Sequence, residues 1–218
     1  HAQQKLKGNK YVCFIDSHNG IWLSDQENDF QYYPERTAFN NLSSIFEHLE
    51  DPFVKNLLFD NEGYLWMRSS YDIASYDTQA DRITFHQADG SIYGHIFIDS
   101  KNRLWVIRNR QELRLYAISK GKIVREEKRY VFPSNVFSIS EDQDGRIWAT
   151  LSDRFATLSA DGKFTYRYAP NGISFSQLQT LRPSGTMILY TVANGLYKFG
   201  EDQQFIPLDS LYLPNPNS

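Results

Sequence analysis

Four tryptophans recur at almost equal intervals along the chain, and each one ends the same type of seven-residue phrase. The tryptophans are separated by 44, 39 and 43 residues. Each phrase begins with aspartate, has Gly or Asn in its fourth position and ends with an aliphatic residue and tryptophan. A period of roughly 40 to 45 residues indicates an array of similar structural units. The phrases are Asp16–Trp22, Asp60–Trp66, Asp99–Trp105 and Asp142–Trp148.

Each phrase predicts a β-turn between two strands. An aspartate in the first position can accept hydrogen bonds from backbone N–H groups two residues later. The fourth position is Asn19, Gly63, Asn102 or Gly145, and Gly and Asn adopt a positive φ at low cost. A β-prone run precedes each aspartate and the tryptophan opens a second one, so we expect a hairpin in every repeat.

A weaker pair of strands follows the first hairpin of a repeat. The predicted pairs are Tyr71–Tyr76 with Arg82–His86, Glu112–Tyr116 with Lys122–Arg125, and Phe155–Leu158 with Lys163–Tyr168, the last two strands being joined by the polar turn Ala160–Gly162. With strands A to D in each repeat, the sequence predicts the four-stranded antiparallel blades of a β-propeller. A fifth copy follows Trp148, and in it Ile188 takes the place of the tryptophan.

The predicted fold is therefore all-β, with about five blades in a single β-propeller region that spans residues 1–218. Residues 1–10 have few apolar side chains, and the C-terminal tail ends in prolines that cannot donate to a ladder. Because neither terminus suits a closing strand, we expect these blades to be part of a larger propeller. The predicted blades are residues 10–53, 54–91, 92–135, 136–173 and 174–210.

The repeated aspartates and tryptophans are predicted to be structural. A ring at one place in every blade is expected to pack between adjacent blades, where such side chains bury about 150–250 Å². A repeated turn aspartate is not expected to belong to a catalytic set. These residues are Asp16, Trp22, Asp60, Trp66, Asp99, Trp105, Asp142, Trp148 and Ile188.

The repeat resembles the two-component regulator propeller repeat. The first four copies carry its Asp-to-Trp phrase, and the fifth carries its later part as Leu189–Thr191 and Asn194–Phe199. The resemblance covers about residues 10–208 and implies an excerpt of the periplasmic sensor region of a hybrid two-component receptor, a membrane-anchored histidine kinase. It also implies that the partners are the remaining blades or a second propeller of the same receptor. A homodimer is left open.

Composition limits the function classes. The chain is 41% apolar and 15% aromatic with a net charge of −3, which is typical of a β-rich globular domain and argues against nucleic acid as a partner. No segment approaches the roughly 20 apolar residues of a membrane-spanning helix. No signal peptide is recognised, so secretion requires that one was removed or lies upstream. The single cysteine, Cys13, is expected to be a small buried hydrophobe.

One segment departs from the repeat. Leu42, Ile45, Phe46 and Leu49 follow helical spacing, so residues 40–50 are predicted to form a short amphipathic helix that packs on the propeller.

The sequence lacks the common catalytic and metal-binding motifs. It has no phosphate-binding loop, no nucleophile elbow and no Cys-x-x-Cys pair, and its five histidines are scattered. We therefore predict no catalytic residue, no metal and no cofactor.

The turns between strands B and C, here called the B–C turns, provide the candidate binding site. In an antiparallel blade these turns gather at the end opposite the aspartate phrases. Arginine binds carboxylate and sulfate groups with two hydrogen bonds, and a tyrosine ring can contact a sugar. Ordinary surface charge is the alternative. The predicted ligand-binding residues are Arg68, Tyr71, Arg108, Arg110, Asp153 and Arg154.

Three functions remain open at this point. The first is a sensing module that binds an oligosaccharide, which we expect to be acidic, and signals to a kinase without catalysis. The second is a propeller enzyme, a polysaccharide lyase or glycosidase, for which Glu112 and Asp153 are the candidate carboxylates. The third is a protein-interaction scaffold, which a flat apolar face would indicate.

Overall fold

The computed structural model describes residues 10–15, 21–25, 30–33, 40–41, 56–86, 90–152, 154–159, 161–168, 177–181, 186–191, 195–199 and 205–207. The chain divides into two compact units. The first consists of His1–Asp89 with Lys120–Lys122, and the second consists of Gly90–Ser119 with Ile123–Ser218.

The strands in the described residues form five four-stranded sheets. Sheet 1 contains β1 (Lys10–Ile15), β2 (Ile21–Asp25), β3 (Phe30–Tyr33) and β4 (Asn40–Asn41). Sheet 2 contains β5 (Asn56–Phe59), β6 (Tyr64–Arg68), β7 (Ile73–Asp77) and β8 (Arg82–His86). Sheet 3 contains β9 (Ile92–Ile98), β10 (Arg103–Arg108), β11 (Glu112–Ser119) and β12 (Lys122–Val131). Sheet 4 contains β13 (Val136–Glu141), β14 (Ile147–Leu151), β15 (Arg154–Leu158) and β16 (Phe164–Tyr168). Sheet 5 contains β17 (Gln177–Leu181), β18 (Thr186–Thr191), β19 (Gly195–Phe199) and β20 (Phe205–Pro207).

Within each sheet, every strand pairs with the next strand along the chain. The pairing is antiparallel, as between β13 and β14, where Glu141 is opposite Ile147. The hairpins predicted from the aspartate phrases are therefore present, and the prediction of an all-β fold of antiparallel four-stranded sheets is confirmed.

The aspartate phrases of sheets 2, 3 and 4 fold into one hydrogen-bonded unit, which we call the Asp-turn motif. In sheet 3, Oδ1 of Asp99 accepts the backbone N–H groups of Lys101 at 3.1 Å and Arg103 at 2.9 Å. Oδ2 of the same carboxylate accepts the indole N–H of Trp105 at 2.9 Å. Asn102, in the fourth position, has a φ of 57°, as the sequence predicts. One carboxylate thus fixes the turn and the tryptophan together.

The same contacts recur in the two neighbouring sheets. The indole N–H of Trp66 donates to Oδ2 of Asp60 at 2.8 Å, and that of Trp148 donates to Oδ2 of Asp142 at 2.8 Å. The fourth-position residues there are glycines with φ values of 88° and 76°. All three tryptophans are buried. Burial of an unpaired indole N–H is costly. Because the aspartate accepts this N–H, the tryptophan ring can be buried without that cost.

The hydrophobic core of the second unit lies between sheets 3 and 4. The central strand β10 buries four consecutive apolar residues, Leu104–Ile107, because side chains on both of its faces are covered. Each fully buried aliphatic or aromatic residue stabilises the fold by about 1.5–3 kcal/mol. The core consists of Trp105, Ile107, Leu113, Leu115, Phe132, Val136, Ile139, Ile147, Ala149, Leu151 and Ala156.

Two polar and backbone features bring sheets 3 and 4 close together. Glu141, at the end of β13, accepts the backbone N–H and the hydroxyl of Ser100 from the Asp-turn motif of sheet 3, both at 2.7 Å. On β9, Gly94 has a φ of 61°, and a Cβ atom there would lie 2.7 Å from the carbonyl oxygen of Phe137. Glycine is therefore required where β13 passes β9.

Several sequence predictions differ from the structure or fall outside it. The strand predicted to begin at Tyr71 begins at Ile73, because Tyr71 and Asp72 belong to the preceding turn. Strand β12 extends from Lys122 to Val131, well beyond the predicted Lys122–Arg125. Of the predicted helix, Asn40 and Asn41 form β4, and residues 42–50 lie outside the described residues. The same holds for Asp16, Asp153 and the side chains of Cys13, Trp22 and Ile188.

Candidate functional site

In the first unit, the B–C turn of sheet 2 is residues 69–72, and the hydroxyl of Ser69 organises it. That oxygen accepts the backbone N–H of Tyr71 at 3.2 Å and of Asp72 at 2.9 Å. The backbone N–H of Ser69 donates to the Asp72 carbonyl at 2.9 Å. Tyr71 lies at the tip of this turn with 48% of its surface exposed. A serine in the first position of a tight turn commonly makes such contacts, and here they present the tyrosine to solvent.

Two of the predicted arginines are buried rather than exposed at the turns. Arg68 ends β6 with 7% of its surface exposed, and its Nη1 donates to the Ser69 carbonyl at 3.1 Å. Arg108 ends β10 with 2% exposed, and its Nη1 donates to the Gly90 carbonyl at 3.1 Å. Both guanidinium groups therefore bond to main-chain oxygens of their own unit. Substituting either one would disturb local backbone structure as well as any ligand contact.

In the second unit, the B–C turn of sheet 3 holds an arginine in an unusual conformation. Asn109 and Arg110 have φ values of 47° and 67°. The left-handed region costs a residue with a Cβ roughly 1–2 kcal/mol. The guanidinium of Arg110 lies over the ring of Tyr93, 4.5 Å from its centre. Such a contact contributes about 0.5–1 kcal/mol at an exposed site and fixes the position of the charge.

At the B–C turn of sheet 4, a second arginine lies over a tyrosine ring. Arg154 is the first residue of β15 and pairs with Tyr168, the last residue of β16. Its guanidinium lies 4.7 Å from the centre of the Tyr168 ring. Tyr168 has 71% of its surface exposed, so this stacked pair faces solvent. Asp153, predicted to belong to the site, lies outside the described residues.

The start of β13 connects these two turns. The backbone N–H of Val136, its first residue, donates to the carbonyl of Arg110 at 2.7 Å. Val136 is also opposite Leu151, the last residue of β14, where the turn to β15 begins. The second unit therefore brings the turns of Arg108, Arg110 and Arg154 to one strand end. Arg68 and Tyr71 belong to the first unit.

Tyr93 and Tyr168 are contact residues that the sequence analysis did not select. Strand register was the signal that could have identified both. Tyr168 is opposite Arg154, and Tyr93 is opposite Ile107 next to the turn. Their pairing depends on the exact ends of β9 and β16, which sequence patterns define poorly.

Glu112, one of the two carboxylates considered for an enzyme, has a structural partner. Its Oε2 accepts Nε of Arg114 at 3.1 Å and Nη2 at 2.9 Å. Arg114 is buried, so this carboxylate balances a charge inside sheet 3. Among the described residues, no group of three His, Cys, Asp or Glu side chains is arranged to hold a metal ion.

No protein-family model and no curated protein matches the chain. Among solved structures, it is similar to virginiamycin B lyase from Staphylococcus aureus, with 14% identity and a TM-score of 0.70 over 94% of this chain and 70% of that one. It is also similar to the Cps50 (Swd1) β-propeller domain from Myceliophteria thermophila, with 10% identity and a TM-score of 0.66 over 84% of this chain and 65% of that one.

A third similar structure is an extracellular domain assigned to a hybrid two-component system of B. thetaiotaomicron. Its identity is 17% and its TM-score is 0.58, over 87% of this chain. The chain spans a third of that domain, 33% of its length. At these identities the likenesses establish the fold, which is that of a β-propeller. In the part of the chain that the structure describes, no helix has the length and apolar character needed to cross a membrane.

Proposed function

We propose that this chain is part of an extracytoplasmic sensor propeller of a two-component receptor. In this proposal it binds a glycan-derived, acidic ligand at the B–C turns and signals to a kinase without catalysis. Its four-stranded sheets are five blades of a larger periplasmic propeller that is anchored to the membrane by the rest of the receptor. The remaining blades, a second propeller or a second copy of the chain are the proposed partners.

The observation that carries the proposal is the pair of arginines whose guanidinium groups lie over tyrosine rings, Arg110 over Tyr93 and Arg154 over Tyr168. A guanidinium carries its N–H groups along its edge. That edge is the part that binds a carboxylate or sulfate with two hydrogen bonds. The exposed ring of Tyr168 adds a flat surface of the kind that packs on sugars.

Two further observations support the receptor context. The repeat resembles that of sensor regions, and one similar structure is an extracellular domain of a two-component system. This chain matches 33% of the length of that domain. The domain is therefore about three times as long as the matched part, which supports a larger array of blades.

The proposal is tested by titrating the protein with acidic and neutral oligosaccharides of equal length in a calorimeter. We expect the acidic ligand to bind more tightly, and Arg154→Gln to weaken it roughly tenfold or more, as for loss of a charge-assisted bond. Arg82→Gln is the matched control, because Arg82 is an exposed arginine at the start of β8. Tighter binding of the neutral sugar, or equal effects of both substitutions, would contradict the proposal.

A second candidate is a propeller enzyme, a polysaccharide lyase or glycosidase, and the likeness to virginiamycin B lyase supports an enzyme on this fold without indicating its substrate. Mass spectrometry of the ligand after long incubation separates the two candidates. Intact ligand supports a sensor, whereas shortened or unsaturated products would support the enzyme. Glu112→Gln would then have to reduce turnover, although its carboxylate is bonded to Arg114.

A further inference from the structure

A cleft of about 700 Å³ opens in the second unit at the end of sheets 3 and 4 that carries the Asp-turn motifs. It is lined by the motif residues Lys101, Arg103 and Arg146, and by Lys128 and Tyr130 of β12. The turn between β15 and β16 closes its far side with Ser159. A volume between about 300 and 1,000 Å³ is the size of typical small-molecule sites.

Cationic side chains predominate among the charged residues that line the cleft. Four cationic side chains line it, and Glu127 is the carboxylate among the lining residues. Glu127 is itself bonded to Arg125, whose Nη2 lies 2.9 Å from its Oε1. Glu127 therefore does little to neutralise the other cations.

The two arginines are held in place by the Asp-turn motifs. Nε of Arg103 donates to Oδ2 of Asp99 at 2.8 Å, and Nε of Arg146 donates to Oδ2 of Asp142 at 2.7 Å. The same hydrogen bonds change the pKa of the Asp142 carboxylate. Although its burial alone raises the pKa, the bonds from Trp148 and Arg146 hold the pKa of Asp142 below its usual value.

The Nη2 atom of each arginine also contacts a carboxylate. Nη2 of Arg103 lies 2.6 Å from Asp99 Oδ2, and Nη2 of Arg146 lies 2.8 Å from Asp144 Oδ2. Among the described residues, Nη1 of both guanidinium groups makes no hydrogen bond. A fixed arginine with a remaining donor loses little side-chain entropy when it binds an anion.

The two lysines supply charge that protein carboxylates do not balance. In the described part of the chain, no carboxylate lies within 4.0 Å of the ammonium group of Lys101 or Lys128. Lys128 reaches from sheet 3 to the turn of sheet 4. Its Nζ would lie 2.8 Å from a Cβ placed on Gly162, which has a φ of 79°. A larger residue at Gly162 would therefore displace this ammonium group.

Tyr130 forms an aromatic wall of the cleft. Its ring is stacked on Trp105 with centres 6.2 Å apart and meets Phe164 edge to face at 5.0 Å. These contacts fix the ring, and its hydroxyl can donate to a bound oxyanion.

We propose that this cleft is a second ligand site that binds a small molecule carrying a tetrahedral oxyanion group, a sulfate or phosphate ester, through Lys101, Lys128, Arg103 and Arg146. Lysine ammonium groups and fixed arginine forks are the groups that recognise such anions. The site does not depend on the proposed function of the B–C turns, which lie at the opposite end of the same sheets.

The test is a titration of the chain with inorganic sulfate, inorganic phosphate, glucose 6-sulfate, glucose 6-phosphate and glucose, followed by NMR or calorimetry. We expect at least one ester to bind and glucose not to bind. Lys101→Gln/Lys128→Gln should weaken ester binding at least tenfold. Lys122→Gln removes the same charge from an exposed position of β12 outside the cleft and should leave binding unchanged.

Four outcomes would overturn the proposal. The first three are no binding of any ester at about 10 mM, equal affinity of the lysine variant and the wild type, and an equal loss with Lys122→Gln. Binding of inorganic anions without the esters would also overturn it, because the cleft would then select no small molecule. Arg154→Gln should leave ester binding unchanged, which distinguishes failure of this site from failure of the sensor proposal.

Discussion

The Asp-turn motifs and the B–C turns lie at opposite ends of the same sheets and are built by different rules. In sheets 2, 3 and 4, the carboxylate of the motif accepts hydrogen bonds from two backbone N–H groups and from one indole N–H. The B–C turns of sheets 2 and 3, which the structure describes in full, share no such plan. Ser69 organises one turn through its hydroxyl, whereas two residues of positive φ form the next one. The repeated end therefore defines the scaffold, and the variable end is free to differ in its side chains.

The largest expected effect comes from removing a motif carboxylate. Asp99→Ala deletes the acceptor for two backbone N–H groups, the Trp105 indole and the Arg103 side chain. We expect the free energy of unfolding to fall by about 3–5 kcal/mol, as for other broken buried charge pairs. Urea unfolding measures this loss.

Asp161→Ala is the control for that measurement. Asp161 is an exposed turn aspartate that bonds to Ser159 and Lys163, and its loss should cost less than about 1 kcal/mol. Similar losses for the two variants would break the distinction between motif aspartates and ordinary turn aspartates.

A second prediction concerns pH and the tryptophan of sheet 2. His86 is stacked on Trp66 with ring centres 5.0 Å apart. Burial lowers the pKa of His86 to about 4, although a backbone hydrogen bond with Gly121 opposes the shift. The folded protein therefore keeps His86 neutral, while the unfolded chain takes up a proton near the ordinary pKa of 6.5. Stability that is fully present above pH 6.5 should be lost as the pH falls toward about 4.

Thermal unfolding of the wild type and His86→Phe between pH 4 and pH 8 tests this prediction. Phenylalanine keeps an aromatic ring over Trp66 and cannot titrate. The melting temperature of the variant should therefore fall less steeply below pH 6.5. Parallel pH curves for both proteins would show that His86 does not titrate on unfolding.

A smaller effect is expected at the B–C turn of sheet 2. Ser69→Ala removes the acceptor for the backbone N–H groups of Tyr71 and Asp72, which should cost about 1–2 kcal/mol. Ser159→Ala is the comparison, because the hydroxyl of Ser159, in the turn between β15 and β16, makes an exposed hydrogen bond to the Lys163 carbonyl. Urea unfolding should show the larger loss for Ser69→Ala.

Arg110→Gly should have the smallest effect on stability. Glycine removes the cost of the left-handed conformation, roughly 1–2 kcal/mol, and also removes the contact with Tyr93, about 0.5–1 kcal/mol. The free energy of unfolding should change by less than about 1 kcal/mol in either direction. A large loss would mean that Arg110 is a scaffold residue and would weaken the contrast between the two ends.

The sequence predicts the repeated end well because its structure is local. Asn102 and Gly145 adopt the positive φ that their place after the aspartate requires. The bond from Asp99 to the Trp105 indole spans only six residues, yet a turn argument alone does not reveal it, since it depends on which face of β10 the ring occupies.

The candidate site is predicted less completely because its contacts are set by tertiary packing. Arg68 and Arg108 look like surface charges in the sequence, but main-chain carbonyls bind both of them inside the fold. Strand β12 is longer than predicted because its charged residues resemble a loop. In the sheet they form ion pairs along an exposed edge, such as Arg129 with Glu126 at 3.0 Å, and charges of this kind are common on edge strands.

Ligand binding at the B–C turns is tested most directly by the affinity of an acidic oligosaccharide for the wild type, for Arg110→Gln/Arg154→Gln and for Asp161→Ala, each measured together with the free energy of unfolding. We expect the double arginine variant to lose at least tenfold in affinity, while its free energy of unfolding falls by less than about 2 kcal/mol because two contacts of about 0.5–1 kcal/mol each are lost. We also expect Asp161→Ala, at the Asp-turn end, to bind like the wild type. Unchanged affinity in the stable double variant would contradict the claim that the B–C turns bind the ligand.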